Sequence, residues 1–242
     1  MTLSRNLSTL GQAVSTSGNI PSANVSGLAT VATTGSASDL TGTLPASVGS
    51  TGDVVMNVYT SSSTWTKPAT VKAIKVTVVG GGGNGSPVPA VAGNNGSGGG
   101  GGGAAIRTYP APSIPGPQPY TVGGAGATSS FGVAPVTVIS ATGGSAGSFT
   151  SSPLGVIGGD GGSGTNGQAN MKGEGGGIAS GNIGGFGGCS ILGGGASGVI
   201  NTANGNAGGA YGAGGSGAKS ASGAAQTGGA GAAGVVIVEE FY

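Results

Sequence analysis

VKAIKVTVVGGGG, residues 71–83, contains the decisive change of pattern in this chain. Ile74, Val76 and Val78 fall on one face of an extended segment, and Lys75 and Thr77 fall on the other. That period of two is the pattern of a half-buried β-strand. At Gly80 the side chains stop, and about a third of the positions from there to the end are glycine.

To either side of this run, VVMNVY at 54–59 is strand-like, and further strands are expected near residues 105–109, 118–122 and 135–142. The segment PAPSIPGPQP between the 105–109 and 118–122 strands marks a loop or edge, because proline cannot donate to a ladder. The chain closes with VVIVEEFY at 235–242, four consecutive β-formers and two aromatics, where a disordered glycine tail has no reason to place them. We read this as a strand returning to the sheet. The fold class expected is therefore all-β: a β-sandwich head over residues 53–242, with strands 71–79 and 235–242 in one sheet and a glycine-rich insertion at about 143–233. Trp65 is read as a core or sheet-edge anchor.

Composition limits the chemistry available. The 242 residues include 60 Gly and 12 Pro, with charged residues at 5%, aromatics at 4% and no histidine. A formal charge of +1 supplies neither the basic stripe of a nucleic-acid binder nor a polybasic membrane anchor. The one cysteine, Cys189, cannot form an internal disulfide and is read as a small buried or semi-buried filler, the other reading being a reactive or intermolecular thiol, and no Cys/His cluster suggests zinc. MTLSRNLSTLGQ has no apolar run suited to a signal peptide, and no 18-residue apolar stretch occurs, so neither membrane insertion nor a cofactor is expected. Asp160 and Glu174 form the carboxylate pair of the glycine-rich stretch, and we read them as solvated acids rather than a glycosidase dyad. The GxGxxG-like stretches lack the strand, helix and acidic residue of a nucleotide site.

Collagen is excluded, because glycine runs such as 98–103 break its strict triplet. Units such as GGDGGSG and GGAYGAGGSG bury few side chains and carry little charge, so the backbone itself must be the packing surface. Extended helices of the polyproline II type, three residues per turn, leave their N–H and C=O groups free to bond to neighbouring helices. A polyglycine II-like bundle is the expected result. Larger side chains then fit at its rim or in its turns, and the turns become a display surface. Asn170, Met171, Lys172, Asn182, Phe186 and Tyr211 are the residues expected to contact a ligand there by stacking and amide hydrogen bonds; the other reading is that they cap helices and cover the bundle.

Residues 1–52 differ again. They are rich in Ser, Thr and Ala, with turn-forming Gly11, Gly18, Gly27, Gly35, Gly42 and Gly49, and offer nothing larger than Leu for a core. GLATVATTGSASDLTGTLPAS at 27–47 resembles the LATVATxGSxxDLTxxxP units of bacteriophage tail fibres. From Tyr59 to Tyr242, YTSSSTWTKPATVKAIKVTVVGGGG, then TSSFG, ATGG and GGAGAAGVVIVEEFY resemble the glycine-rich carboxy-terminal domain of phage fibre proteins. The resemblance implies a homotrimeric virion component, made in the host cytoplasm. Residues 1–10 would attach it to the tail or baseplate, 11–52 would form a stem, and the head would bind a host surface glycan or outer protein. Related adhesins display variable loops from polyglycine II helices. The alternative is a purely structural virion protein, a capsid decoration or baseplate component.

Overall fold

The structure, a computed structural model, describes residues 52–151 and 155–242. The expected attachment and stem segment therefore lies, up to residue 51, outside the described residues. The described strands all belong to one unit, Gly52–Tyr242.

The described chain is all-β, built from antiparallel sheets. Thirteen strands follow in order: β1 (Val54–Tyr59), β2 (Ser63–Trp65), β3 (Ala73–Val79), β4 (Asn94–Gly96), β5 (Ala104–Pro110), β6 (Gln118–Thr121), β7 (Ser129–Phe131), β8 (Ile139–Ala141), β9 (Phe149–Thr150), β10 (Gly164–Thr165), β11 (Ala169–Met171), β12 (Lys219–Ser220) and β13 (Val235–Phe241). One five-stranded sheet has the order β1-β13-β3-β5-β11, a second β10-β8-β7-β6-β2, and a small third β12-β4-β9. The period-two run at 71–79 becomes β3 at the centre of the first sheet. It pairs on one side with the carboxy-terminal β13, Val76 opposite Val238, and on the other with β5, Val76 opposite Arg107.

Ile74, Val76 and Val78 are fully buried and share one core with Val236 and Val238 of their own sheet and with Trp65, Tyr120, Phe131 and Ile139 of the second. Phe131 lies at its centre, 6.2 Å from the Trp65 ring and 6.0 Å from Tyr109. Each such large apolar side chain removed from water contributes roughly 1.5–3 kcal/mol. Trp65 is the expected anchor, and its polar handle is satisfied: Nε1 donates to Glu240 Oε1 at 2.6 Å, while the Tyr242 hydroxyl donates to the other carboxylate oxygen at 2.8 Å. Those two donors are what allow the carboxylate of Glu240 to sit buried in the sheet interior.

Between the strands run glycine segments whose only regularity is in their hydrogen bonds. Every N–H from Ser97 to Gly103 donates, and the acceptors repeat with period three. Residues 97, 100 and 103 bond to the carbonyls of Ser148, Ser145 and Thr142; 98 and 101 to Gly177 and Glu174; 99 and 102 to Gly215 and Gly212. The same segment's carbonyls accept from three further segments, for example at Gly100 from Gly83, at Gly101 from Gly162 and at Gly99 from Gly188. Three donor directions and three acceptor directions describe a threefold extended helix enclosed by six others. Residues 212–218 are enclosed in the same way, bonding to segments that include 83–86, 185–188, 203–206 and 229–232. This lateral bonding satisfies the backbone groups that the missing side chains leave open.

The bundle begins at Gly80, directly after β3, and so includes 80–86 and 97–103 in addition to segments within the expected 143–233 stretch. The reason is steric. A Cβ on Gly82, Gly83, Gly99 or Gly101 would overlap a neighbouring carbonyl, so the early run GGGG and the later GGGGGG are bundle core rather than linker.

Candidate functional site

The bonding register fixes two ends of the bundle. Gly80 bonds to Gly103 just before β5, and Gly234 precedes β13, so these residues mark the end next to the large sheets. Ser86 with Ser97, and Val88 with Gln226, mark the far end. The residues expected to contact a ligand divide between these ends.

Asn170 and Met171 lie at the sheet end, in β11, paired with Ala105 and Ala104 of β5. Met171 packs against buried Val79, Ala104 and Val235, a structural position. Asn170 closes its own turn: its Oδ1 accepts from the Gly167 N–H at 2.8 Å and its Nδ2 donates to the Gly167 carbonyl at 3.1 Å. Lys172 is exposed and bridged to Ser163. Tyr211 also belongs to the sheet end, next to Gly212, with a φ of 37° and its carbonyl accepting the Ser190 hydroxyl at 2.6 Å. No sequence pattern signals that 169–171 join the sheet, because three residues are too few to show a period.

Asn182 and Phe186 lie at the far end, where Ile178, Ile183 and Ile200 are apolar neighbours of Phe186. Gly181, at φ 58°, turns the chain tightly between Ser180 and Ile183, which bond to each other. Ile183 is bridged in turn to Ile200. The result is a shallow recess of about 460 Å³ lined by Ile178, Ser180, Ile183, Gly184, Phe186, Gly198 and Ile200. Its large side chains are exposed: Ile178 by 61%, Ile183 by 54%, Phe186 by 51% and Ile200 by 65%. Four large apolar side chains grouped in solvent on neighbouring turns form the kind of patch that marks an interaction surface.

The scaffold beneath is fixed. Lys219 of β12, almost wholly buried, donates from Nζ to the carbonyl of Gly181 at 2.9 Å and to that of Gly93 at 3.3 Å, tying two far-end turns together. Burial pushes its ammonium below the usual lysine range. Two asparagines of the turn after Ile200 are engaged within the bundle: Asn204 Oδ1 accepts from Thr227 N–H, and Asn206 Nδ2 donates to the Ser197 carbonyl. Glu174 is also occupied, its Oε2 accepting from the Cys189 N–H at 3.1 Å, and Cys189 itself is exposed rather than a buried filler, its Sγ accepting from the Gly195 N–H at 3.3 Å at the bundle surface. Among the described residues no group of three or more His, Cys, Asp or Glu is placed to hold a metal ion, and no helix is long and apolar enough to cross a membrane.

Fold and site together define a class: all-β domains in which hydrogen-bonded glycine helices carry turns away from a sheet core. Residues 57–240 match the family described as glycine-rich domain, and the chain belongs to that family. A search of curated proteins gives no significant match.

Proposed function

We propose that this chain is the receptor-binding component of a phage tail fibre, attaching the virion to a bacterial surface without covalent chemistry. The observation that carries the reading is the far-end recess, where Phe186 and three isoleucines stand exposed on turns braced by Lys219. A rigid backbone scaffold suits such a role, because preordered turns lose little entropy on binding. The tail-fibre resemblance of residues 27–47 and 59–242 supports the same reading. The described residues hold few ionisable groups, in keeping with recognition rather than catalysis.

Assembly as a homotrimer, joined to the tail or baseplate through residues 1–10, is part of this proposal. Among the described residues β1 is the outer strand of its sheet, and Val54, Val55, Met56 and Val58 are exposed on it, an apolar surface suited to contact with other copies of the chain. Three copies would present three weak sites at once and raise avidity without any new contact.

The test is binding of labelled full-length protein to intact cells from a panel of bacterial strains, with Ile183→Ser/Phe186→Ser as the comparison. Saturable binding to particular strains, reduced at least ten-fold in the double variant while its β-sheet signal is unchanged, is expected. Equal binding by the two proteins would remove the recess from the reading, and binding to no strain would favour a purely structural virion role.

A further inference from the structure

A second recess lies on the large sheets, where Arg107, Thr108 and Pro110 of β5 meet Ser113, Pro135 and Thr137 around about 200 Å³. This is room for one small ligand, below the roughly 300–1,000 Å³ of drug-sized pockets. Its charge is unbalanced. The Arg107 guanidinium lies over the Tyr109 ring, 5.7 Å from the centroid, and its Nη1 donates to the Asn166 carbonyl at 3.0 Å. Neither partner is anionic. The ion pair found among the described residues joins Lys75 to Glu239, so no described carboxylate lies within the 4.0 Å that would neutralise Arg107.

A second cation sits behind the same wall. Lys67 Nζ donates to the carbonyls of Ala111 and Ile114 at 2.6 and 3.1 Å, beneath the turn that carries Ser113. It too faces carbonyls rather than acids. The guanidinium is held by an aromatic face on one side and a carbonyl on the other, which leaves donors of its fork unspent, and Thr108 and Thr137 line the same space. Pro110, Pro135 and Val136 supply stiff apolar walls suited to the C–H faces of a sugar ring.

We propose that this recess binds an acidic sugar, with Arg107 gripping a carboxylate or phosphate substituent and the proline walls enclosing the ring. A forked guanidinium without an internal acid matches such an oxyanion in geometry and in sign. The site is separate from the far-end recess and does not depend on what that recess binds.

The experiment is an NMR titration of the full chain with glucuronate, glucose 6-phosphate, inorganic phosphate and glucose. One of the two acidic sugars should shift the Thr108, Ser113 and Thr137 amides saturably, at least ten-fold more tightly than glucose and several-fold more tightly than inorganic phosphate. Arg107→Gln should lose this binding, Arg107→Lys should retain part of it, and Thr137→Val, on the exposed opposite wall, should weaken it several-fold with the spectrum elsewhere unchanged. Added salt should weaken binding to the native protein. Inorganic phosphate binding as tightly as the sugar phosphate would overturn the sugar component. Unshifted amides in the native protein, or full binding by Arg107→Gln, would overturn the site.

Discussion

Gly83 donates its N–H to the carbonyl of Gly100 at 2.7 Å, and the two segments run so close that a methyl group on neighbouring Gly99 would overlap the Gly83 carbonyl oxygen. Both segments are held elsewhere as well, the Gly83 carbonyl accepting from the Gly215 N–H and the Gly99 N–H donating to the Gly215 carbonyl. The strain cannot be relieved by a rotamer change.

Gly99→Ala is therefore expected to destabilise the domain by several kcal/mol, at the upper end of single-site effects. Gly194→Ala is the control, because nothing lies within 4 Å of a Cβ there and its φ is not positive. It should change stability by less than about 1 kcal/mol, with either sign, since alanine also restricts the unfolded chain. Denaturant midpoints of the two variants against the native protein check the contrast.

Gly177 presents a different obstacle. A Cβ at this position would meet the ring of Phe186 and no backbone atom among its nearest contacts. Gly177→Ala should accordingly preserve the fold at a cost of about 1–2 kcal/mol, because the half-exposed Phe186 side chain must swing to another χ1 rotamer, and the far-end recess changes shape. Aromatic side-chain NMR should show the displaced ring, and cell binding should fall although the protein stays folded.

Lys219 braces the far end through two carbonyls. Lys219→Met leaves an unbranched side chain one atom shorter and removes both donations to the carbonyls of Gly93 and Gly181, a loss of about 1–3 kcal/mol that is partly offset because no ammonium is then buried. Hydrogen exchange at Ile183, whose N–H bonds to Ser180, should accelerate in the variant. The pH dependence has a definite sign. The folded-state pKa of Lys219 is depressed, so its burial costs stability at neutral pH, and that cost is relieved as pH rises towards the unfolded value of 10.5. The methionine variant should lack this alkaline gain.

Tyr109 acts in the opposite direction. Its buried hydroxyl donates to the Thr137 carbonyl at 2.7 Å, and burial, partly offset by Arg107, pushes its pKa up to about 12 from 10.0. A raised pKa means stability that is fully present below pH 10 and lost as pH climbs from about 10 to 12, at most roughly 2–3 kcal/mol over the two units. Tyr59 is raised as well, first by burial and then by Tyr120 and Glu240, and Tyr242 is raised chiefly by its hydrogen bond to Glu240. Tyrosinate absorbance during an alkaline titration should show a late-ionising fraction, and Tyr109→Phe should flatten the loss of stability across that window. The same curve from both proteins would contradict the assignment.

How far the fold is legible in the order of residues depends on side chains. In β3 the alternation of Ile74, Val76 and Val78 with Lys75 and Thr77 identifies the strand, because a buried face selects its residues at every second position, whereas in β13 it is the run of four β-formers, Val235 to Val238, that does so. In β11 or β12, with three and two residues, no such period exists, and nothing local announces the structural positions of Met171 and Lys219. Trp65 is readable as an anchor, whereas its partner Glu240, 175 positions away, is not.

The far-end recess illustrates the remaining division. Glycine content alone required the backbone to be the packing surface, since a chain that cannot bury side chains must bond and pack through its peptide groups. Which turns face away from the sheets, and therefore that Ile178, Ile183, Phe186 and Ile200 meet while Tyr211 lies at the other end, was decided only by the tertiary register of the glycine segments. One glycine is chemically the same as the next, so a shift of register leaves no trace in the order of residues. It is set by the strands at the sheet end and by the steric exclusion of any Cβ within the bundle.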